Sequence, residues 1–145
     1  LFRSDVDFWK VAMRPGKPVM FGTLHDVPVL GLPGNPVSAM VCALIFIGPI
    51  IKKLLGLERD LQGKDHAILA SPLPKNDLRQ DYLRARLSLG ADGIFTVLPF
   101  EKQDSSMVSL LAASDCLIVR KPHAPASLPG QKVEILRFPK GMTGY

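Results

Sequence analysis

Residues 27–51 carry no charged side chain, yet they contain Pro28, Pro33, Pro36 and Pro49. A stretch this apolar seeks a protein core or lipid, and its prolines forbid a single uninterrupted element. Val27 to Leu32 reads as an extended apolar run that breaks at Pro33-Gly34. Asn35 is a strong N-cap residue, and Pro36 stands behind it at the first helical position, where a missing N–H costs nothing. The continuous apolar run from Val37 to Ile51 is shorter than the ~20 residues a membrane span needs, and Gly48-Pro49 falls near its end. A buried, kinked core helix is therefore predicted over Pro36–Leu55, with Lys52 and Lys53 favourable against the dipole and Gly56 placed to terminate it. Arg3, Asp5 and Asp7 interrupt any signal peptide, and no membrane partner is expected.

A strand, a tight turn and a helix start form a geometry in which free N–H groups and the helix dipole face whatever occupies the turn. Gly34, Asn35 and Ser38 are the candidates there, Ser38 adding a hydroxyl. Local chemistry alone admits a plain corner equally well. Arg14-Pro-Gly-Lys-Pro18 bears on the choice. Two apolar runs joined by Thr23-Leu-His-Asp26 read as a hairpin; folded about Leu24 and His25, it brings Lys17 near Leu32, with Arg14 a short step away. Two cations gathered at a helix N-terminus favour an anion between them.

From His66 onward the pattern changes to short strands. Ala67–Ser71, Tyr82–Leu89, Ile94–Leu98, Cys116–Arg120 and Lys132–Phe138 suggest a small β-barrel or sandwich. Gly90-Ala-Asp-Gly93 reads as a hairpin turn, and Ser105 or Ser106 as the cap of a short helix to Ala113. Alternation puts Leu83, Ala85, Leu87 and Leu89 on one face of their strand and Tyr82, Arg84, Arg86 and Ser88 on the other. Arginines two apart on a polar face are ordinarily solvated, although the guanidinium fork also suits a tetrahedral oxyanion.

The net charge of +5 suits an anionic partner, but no Lys/Arg block or aromatic interleaving points to nucleic acid. Cys42 and Cys116 make neither a disulfide framework nor a metal motif and read as inert buried thiols of a reducing compartment, the cytoplasm. His25, His66 and His123 are isolated, so no metal ligands are expected in this chain.

Met13-Arg-Pro-Gly-Lys-Pro18, Phe21-Gly22 and Gly31-Leu-Pro-Gly-Asn-Pro-Val-Ser-Ala39, at this spacing, resemble the MoeA/gephyrin family of molybdopterin molybdenumtransferases. Asp81-Tyr-Leu-Arg-Ala-Arg-Leu87 and Gln103-Asp-Ser-Ser-Met-Val-Ser-Leu110 extend the likeness along the chain. The resemblance implies an α+β fragment. Residues 1–56 would be the C-terminal part of an α/β (MogA-like) molybdopterin-binding domain, with a hairpin and long helix. Residues 57–65 would be a linker and 66–145 a small all-β barrel-like C-terminal domain. Alone, one helix and a hairpin are too little to close an α/β core.

The implied activity is molybdenum cofactor biosynthesis, the insertion of molybdate into adenylylated molybdopterin with release of AMP. It is magnesium-dependent, with the Mg2+ ligands upstream of this fragment, which would be inactive alone. The full-length family members are homodimers. The resemblance assigns oxyanion contacts to Arg14, Lys17, Ser38, Arg84 and Ser105, with Pro18 and Ser106 nearby; Gly34 and Asn35 complete the candidate set, and no general base is named. Family members often have Lys where this chain has Arg14. The alternative is a non-catalytic scaffold or protein-interaction module whose Arg84 and Arg86 meet an acidic partner.

Overall fold

The structure, a computed structural model, describes residues 4–8, 10–57 and 64–139. Strands β1 (Ser4–Phe8), β3 (Met20–Leu24) and β4 (Val27–Gly31) form a three-stranded antiparallel sheet in the order β1-β3-β4. The β3–β4 turn is His25-Asp26, both with positive φ (49° and 65°), as a two-residue hairpin with right-twisted strands requires. Leu24 therefore pairs with Val27 and Met20 with Gly31. The expected fold about Leu24 and His25 is off by two residues: this register, continued, sets Lys17 level with Gly34 rather than Leu32.

The long helix forms as α1 (Pro36–Cys42), a π-helical turn (Ala43–Ile47) and α2 (Gly48–Leu54). The Gly48 N–H reaches back to the Ala43 carbonyl. The widening sits just before Pro49, which has no N–H to give Ile45, so the turn loosens where the ladder must break. Pro36–Leu54 is long and apolar enough to cross a membrane by length and composition. Its inner face, Val37, Val41, Cys42 and Ile45, is instead packed against protein. Met40, Ile51 and Leu54 on the other side are exposed.

The second half begins with β5 (Lys64–Leu69). Of the linker expected at 57–65, residues 58–63 lie outside the described residues, and Lys64 and Asp65 already belong to this strand. It is followed by β6 (Gln80–Leu89), β7 (Phe95–Pro99), α3 (Val108–Ala112), β8 (Cys116–Arg120) and β9 (Lys132–Arg137). The strands run β6-β7-β5-β9-β8, and β8 pairs back onto β6 to close a five-stranded barrel. Only the β5–β7 pair within it is parallel. Small and branched side chains fill the barrel, among them Ala67, Ala85, Val97, Cys116, Ile118 and Ile135. Leu83 and Leu87 pack inward and Tyr82 packs outside, as the alternation predicts.

A short strand, β2 (Met13–Arg14), adds in parallel to the barrel through Met13–Gln80 and Arg14–Asp81. The inner face of α1 and the π turn then share one apolar cluster with Tyr82, Leu117 and Leu136 on the barrel's outer wall and with Leu111 of α3. The helix thus has a partner that the sequence did not suggest. The barrel wall supplies the surface that a hairpin alone lacks.

Candidate functional site

Asn35 caps α1 through its side-chain oxygen, which accepts the Ser38 N–H at 3.2 Å. One donor of the helix terminus is thereby spent within the helix itself. Gly34 is exposed, and a Cβ built there would meet nothing within 4 Å, so the turn opens on free space. Ser38 is buried in the first turn of α1. One turn on, the Cys42 thiol lies 4.0 Å from the Gly16 carbonyl, so the Gly16-Lys17 segment passes along this helix. Gly16 has φ +108° and is packed against Cys42 and Met13, where a side chain would not fit.

Arg14 is not a loose cation. Its Nε donates to Asp81 Oδ1 at 3.0 Å and its Nη2 to Asp81 Oδ2, a two-pronged pair, while Nη1 stands 3.6 Å from Asp77 Oδ2. The Asp81 hydrogen bond, partly opposed by burial, holds the guanidinium above its ordinary pKa. Arg14 thus clamps the hairpin segment to the barrel rather than presenting a free fork to an anion. Lys17 and Pro18 are exposed, and Lys17 lines a hollow of about 430 Å³ with Lys10, Asp77 and Arg79.

Arg84 departs most from the solvated reading of its strand face, being only 2% exposed. Its Nη2 donates to the Asp104 carbonyl at 2.9 Å and its Nη1 to the Met107 carbonyl at 3.1 Å. No carboxylate among the described residues lies within ion-pairing distance of it; burial pulls its pKa below the ordinary value, partly opposed through space by Asp104. Arg86, by contrast, is exposed and stacks over Phe100, 5.4 Å from the ring centre. A scaffold surface built on both arginines is therefore corrected: only Arg86 reaches solvent.

The carbonyls that cap Arg84 flank Ser105 and Ser106. Neither serine caps α3, as the sequence suggested; the N-cap is Met107, with no side-chain bond. The Asp104 carboxylate takes the Ser106 N–H at 2.8 Å instead, making the turn before the helix. That bond and a second one to the Ser106 side chain hold the Asp104 carboxyl below its ordinary value. Because α1 packs against α3, the helix bearing Ser38 and the helix after Ser105-Ser106 are neighbours.

Arg14, Pro15, Tyr82, Leu83, Arg84 and Gln103 line one small pocket of about 30 Å³ on the seam between the halves. It is roomy enough for about one water. Through Arg14, Leu83 and Gln103 it adjoins a cleft of about 660 Å³ at the barrel's end, whose wall includes Asp77, Asp81, Phe100 and Arg120. Arg120 is a second buried guanidinium, capped like Arg84 by neutral groups, Ser127 Oγ and the carbonyls of Pro74 and Pro125, but it lines only the larger cleft. The structure thus brings Arg14 and Arg84 to one pocket, Ser105 and Ser106 onto the loop around Arg84, and Lys17 to a neighbouring hollow. Asp81 and Gln103 were missed as functional residues, although both stand inside the motifs Asp81-Tyr-Leu-Arg84 and Gln103-Asp-Ser-Ser106.

Among the described residues no group of three or more His, Cys, Asp or Glu side chains converges on a metal-sized point. Asp77 and Asp81, which line the larger cleft, are both engaged with Arg14. The described residues therefore do not fit a magnesium site.

Comparison with known proteins agrees with this architecture in both halves. The family described as MoeA C-terminal region (domain IV) matches residues 66–138, and the probable molybdopterin binding domain matches residues 1–53. A molybdopterin molybdenumtransferase of Haemophilus influenzae is 36% identical over 137 residues, covering 93% of this chain and 34% of that protein. Molybdopterin molybdenumtransferase 2 of Mycobacterium tuberculosis is 34% identical over 113 residues, 78% of this chain and 27% of its own length. The crystal structure of a molybdopterin biosynthesis MoeA protein from Pyrococcus horikosii superposes with a TM-score of 0.75 at 27% identity, covering 92% of this chain and 32% of that one. The chain spans about a third of the length of these relatives. A closed barrel carrying the domain IV pattern, joined to a hairpin and helix carrying the molybdopterin-binding pattern, has one family explanation: this chain belongs to the MoeA family.

Proposed function

We propose that this chain supplies the oxyanion-holding seam of an enzyme of molybdenum cofactor biosynthesis, which inserts molybdate into adenylylated molybdopterin with release of AMP. The observation that carries the reading is Arg84, a buried guanidinium whose side-chain hydrogen bonds among the described residues go to two backbone carbonyls and none to a carboxylate, on a small pocket that adjoins a larger cleft. Burying a cation costs several kcal/mol, and two carbonyl caps satisfy its donors without cancelling its charge. A tetrahedral dianion at the mouth of that pocket supplies direct countercharge beyond the through-space effect of Asp104. Lys17 adds charge from the hairpin side; Ser38, Ser105 and Ser106 are the hydroxyls of the site; Gly34, Asn35 and Pro18 shape its rim. Arg14, held by Asp81, fixes the two halves on either side of the anion. The residues of this chain bind and orient, and no proton transfer is assigned to any of them.

The adjoining cleft has room for the organic part of a substrate attached to the oxyanion. Magnesium is given no step, since the described residues do not fit it, and chemistry that depends on it would require parts of the relatives' length not represented here. This chain alone is expected to bind and not to turn over. Cytoplasmic location and a homodimeric complete enzyme belong to the same reading. The experiment is calorimetric titration with sodium molybdate of the wild type and of Lys17→Met, Ser38→Ala and Arg84→Met. Each substitution should weaken binding, Arg84→Met the most; molybdate affinity unchanged in folded Lys17→Met and Arg84→Met proteins would reject the site.

A further inference from the structure

Between β2 and β7, the edge of β6 has a gap, and a side chain fills it. β2 pairs with β6 at Gln80 and Asp81, and β7 pairs with it from Ala85 onward. Arg84 lies in the interval. The Gln103 Oε1 accepts the Arg84 N–H at 3.0 Å, and the Gln103 Nε2 donates to the Arg84 carbonyl at 3.0 Å and to the Phe100 carbonyl at 2.8 Å. One side-chain amide thus stands in for a strand residue at the Arg84 N–H and adds a second donor to the Arg84 carbonyl, which also accepts the Phe100 N–H at 3.0 Å. The next residues of the same loop, through the carbonyls of Asp104 and Met107, take the Arg84 guanidinium. Gln103 is also the one residue of this loop that reaches both the small pocket and the adjoining cleft.

We infer that Gln103 is the positioning residue of the oxyanion site: its amide fixes the Arg84 backbone and the Ser105-Ser106 loop as one rigid unit. The inference rests on the oxyanion reading proposed above and deepens it. The choice of amide follows from chemistry. A carboxylate has no N–H to give the carbonyls of Arg84 and Phe100, and an apolar side chain of similar size leaves the Arg84 N–H buried and unpaired. Asparagine is one methylene shorter and does not span the gap. The effect on ligand is indirect, because Gln103 acts through Arg84.

Two arms test this. In the first, hydrogen exchange on the protein without ligand compares wild type with Gln103→Leu and Gln103→Met. The Arg84 amide should lose protection while strands β8 and β9 keep theirs; unchanged protection at Arg84 overturns the positioning role. In the second, sodium molybdate affinity is measured for wild type, Gln103→Leu, Arg84→Met and the double variant. Gln103→Leu should weaken molybdate about tenfold, as expected for losing two or three hydrogen bonds in the support of one ligand. In the Arg84→Met background the same substitution should change affinity by less than about twofold, since residues acting as one unit are not additive. Equal losses in both backgrounds overturn the inference and reveal a general structural role. If Gln103→Leu does not fold, Gln103→Met, which also removes both polar groups of the amide, carries both arms. A wild type that binds no molybdate, with the exchange result as expected, rejects the oxyanion reading and not the pinning of Arg84 by Gln103.

Discussion

Removing Arg14 from its pair with Asp81 probes how the two halves are held together, and the two partners should not respond equally. The Asp81 side chain is 5% exposed and that of Arg14 48%. An exposed ion pair contributes up to about 1 kcal/mol, whereas breaking a buried one by deleting a partner costs about 3–5 kcal/mol. This pair has one member in each environment. Arg14→Met strands a buried carboxylate that has lost two charge-assisted hydrogen bonds and should cost about 2 kcal/mol. Asp81→Asn leaves a half-exposed guanidinium that turns to water, while the amide oxygen still accepts one N–H, and should cost about 1 kcal/mol. Urea unfolding measures both. With a slope of about 2 kcal/mol/M the Arg14→Met midpoint falls by about 1 M. An Arg14→Met stability within about 0.5 kcal/mol of wild type, the range of inert surface changes, would refute the clamp. So would a larger loss for Asp81→Asn.

Gly16→Ala should destabilise by about 2–4 kcal/mol, because it combines a left-handed backbone with overpacking; the new methyl meets Cys42 and Met13, and an unchanged urea midpoint would contradict that packing. Burial pushes the Cys42 thiol up to about 11 and, with Asp115 adding to it, that of Cys116 to about 12, so neither should react with a thiol reagent at neutral pH until urea unfolds the chain. Asp104 is held below its ordinary 3.8 chiefly by the Ser106 N–H. Its contribution to the loop is therefore full above that value and lost as pH falls through the lower folded one. The Ser106 amide resonance should shift only in that acidic window, and a midpoint at or above 3.8 would show the turn is not formed in solution.

The elements that local chemistry controls were legible in the sequence. Asn35-Pro36 starts a helix wherever it occurs before an apolar run, and the alternation of Tyr82–Leu89 assigns inner and outer faces correctly. What the sequence left open depends on partners far along the chain. The hairpin register turns on whether Leu24-His25 or His25-Asp26 takes the positive φ values, and the signal was Asp26, which enters that region more readily than Leu24. Arg84 reads as a surface residue because the carbonyls that bury it belong to Asp104 and Met107, about twenty residues on. Carbonyls have no sequence signature. Met13–Arg14 is too short to read as a strand, yet it joins the barrel and brings Arg14 to Asp81, 67 residues away. For the same reason the candidate cations read as one cluster in the sequence, whereas in space Arg14 is hydrogen-bonded to a carboxylate and Arg84 to backbone carbonyls.

The central claim is that a tetrahedral oxyanion is held at Arg84 on the seam between the hairpin segment and the barrel. Diffraction from crystals soaked in sodium tungstate, recorded at a tungsten absorption edge, locates such an ion without any assumption about activity. The account predicts an anomalous peak at the mouth of the pocket formed by Arg14, Pro15, Leu83, Arg84 and Gln103, within hydrogen-bond reach of Arg84 and absent in Arg84→Met. A peak bound only elsewhere, or one that persists unchanged in Arg84→Met, would contradict it.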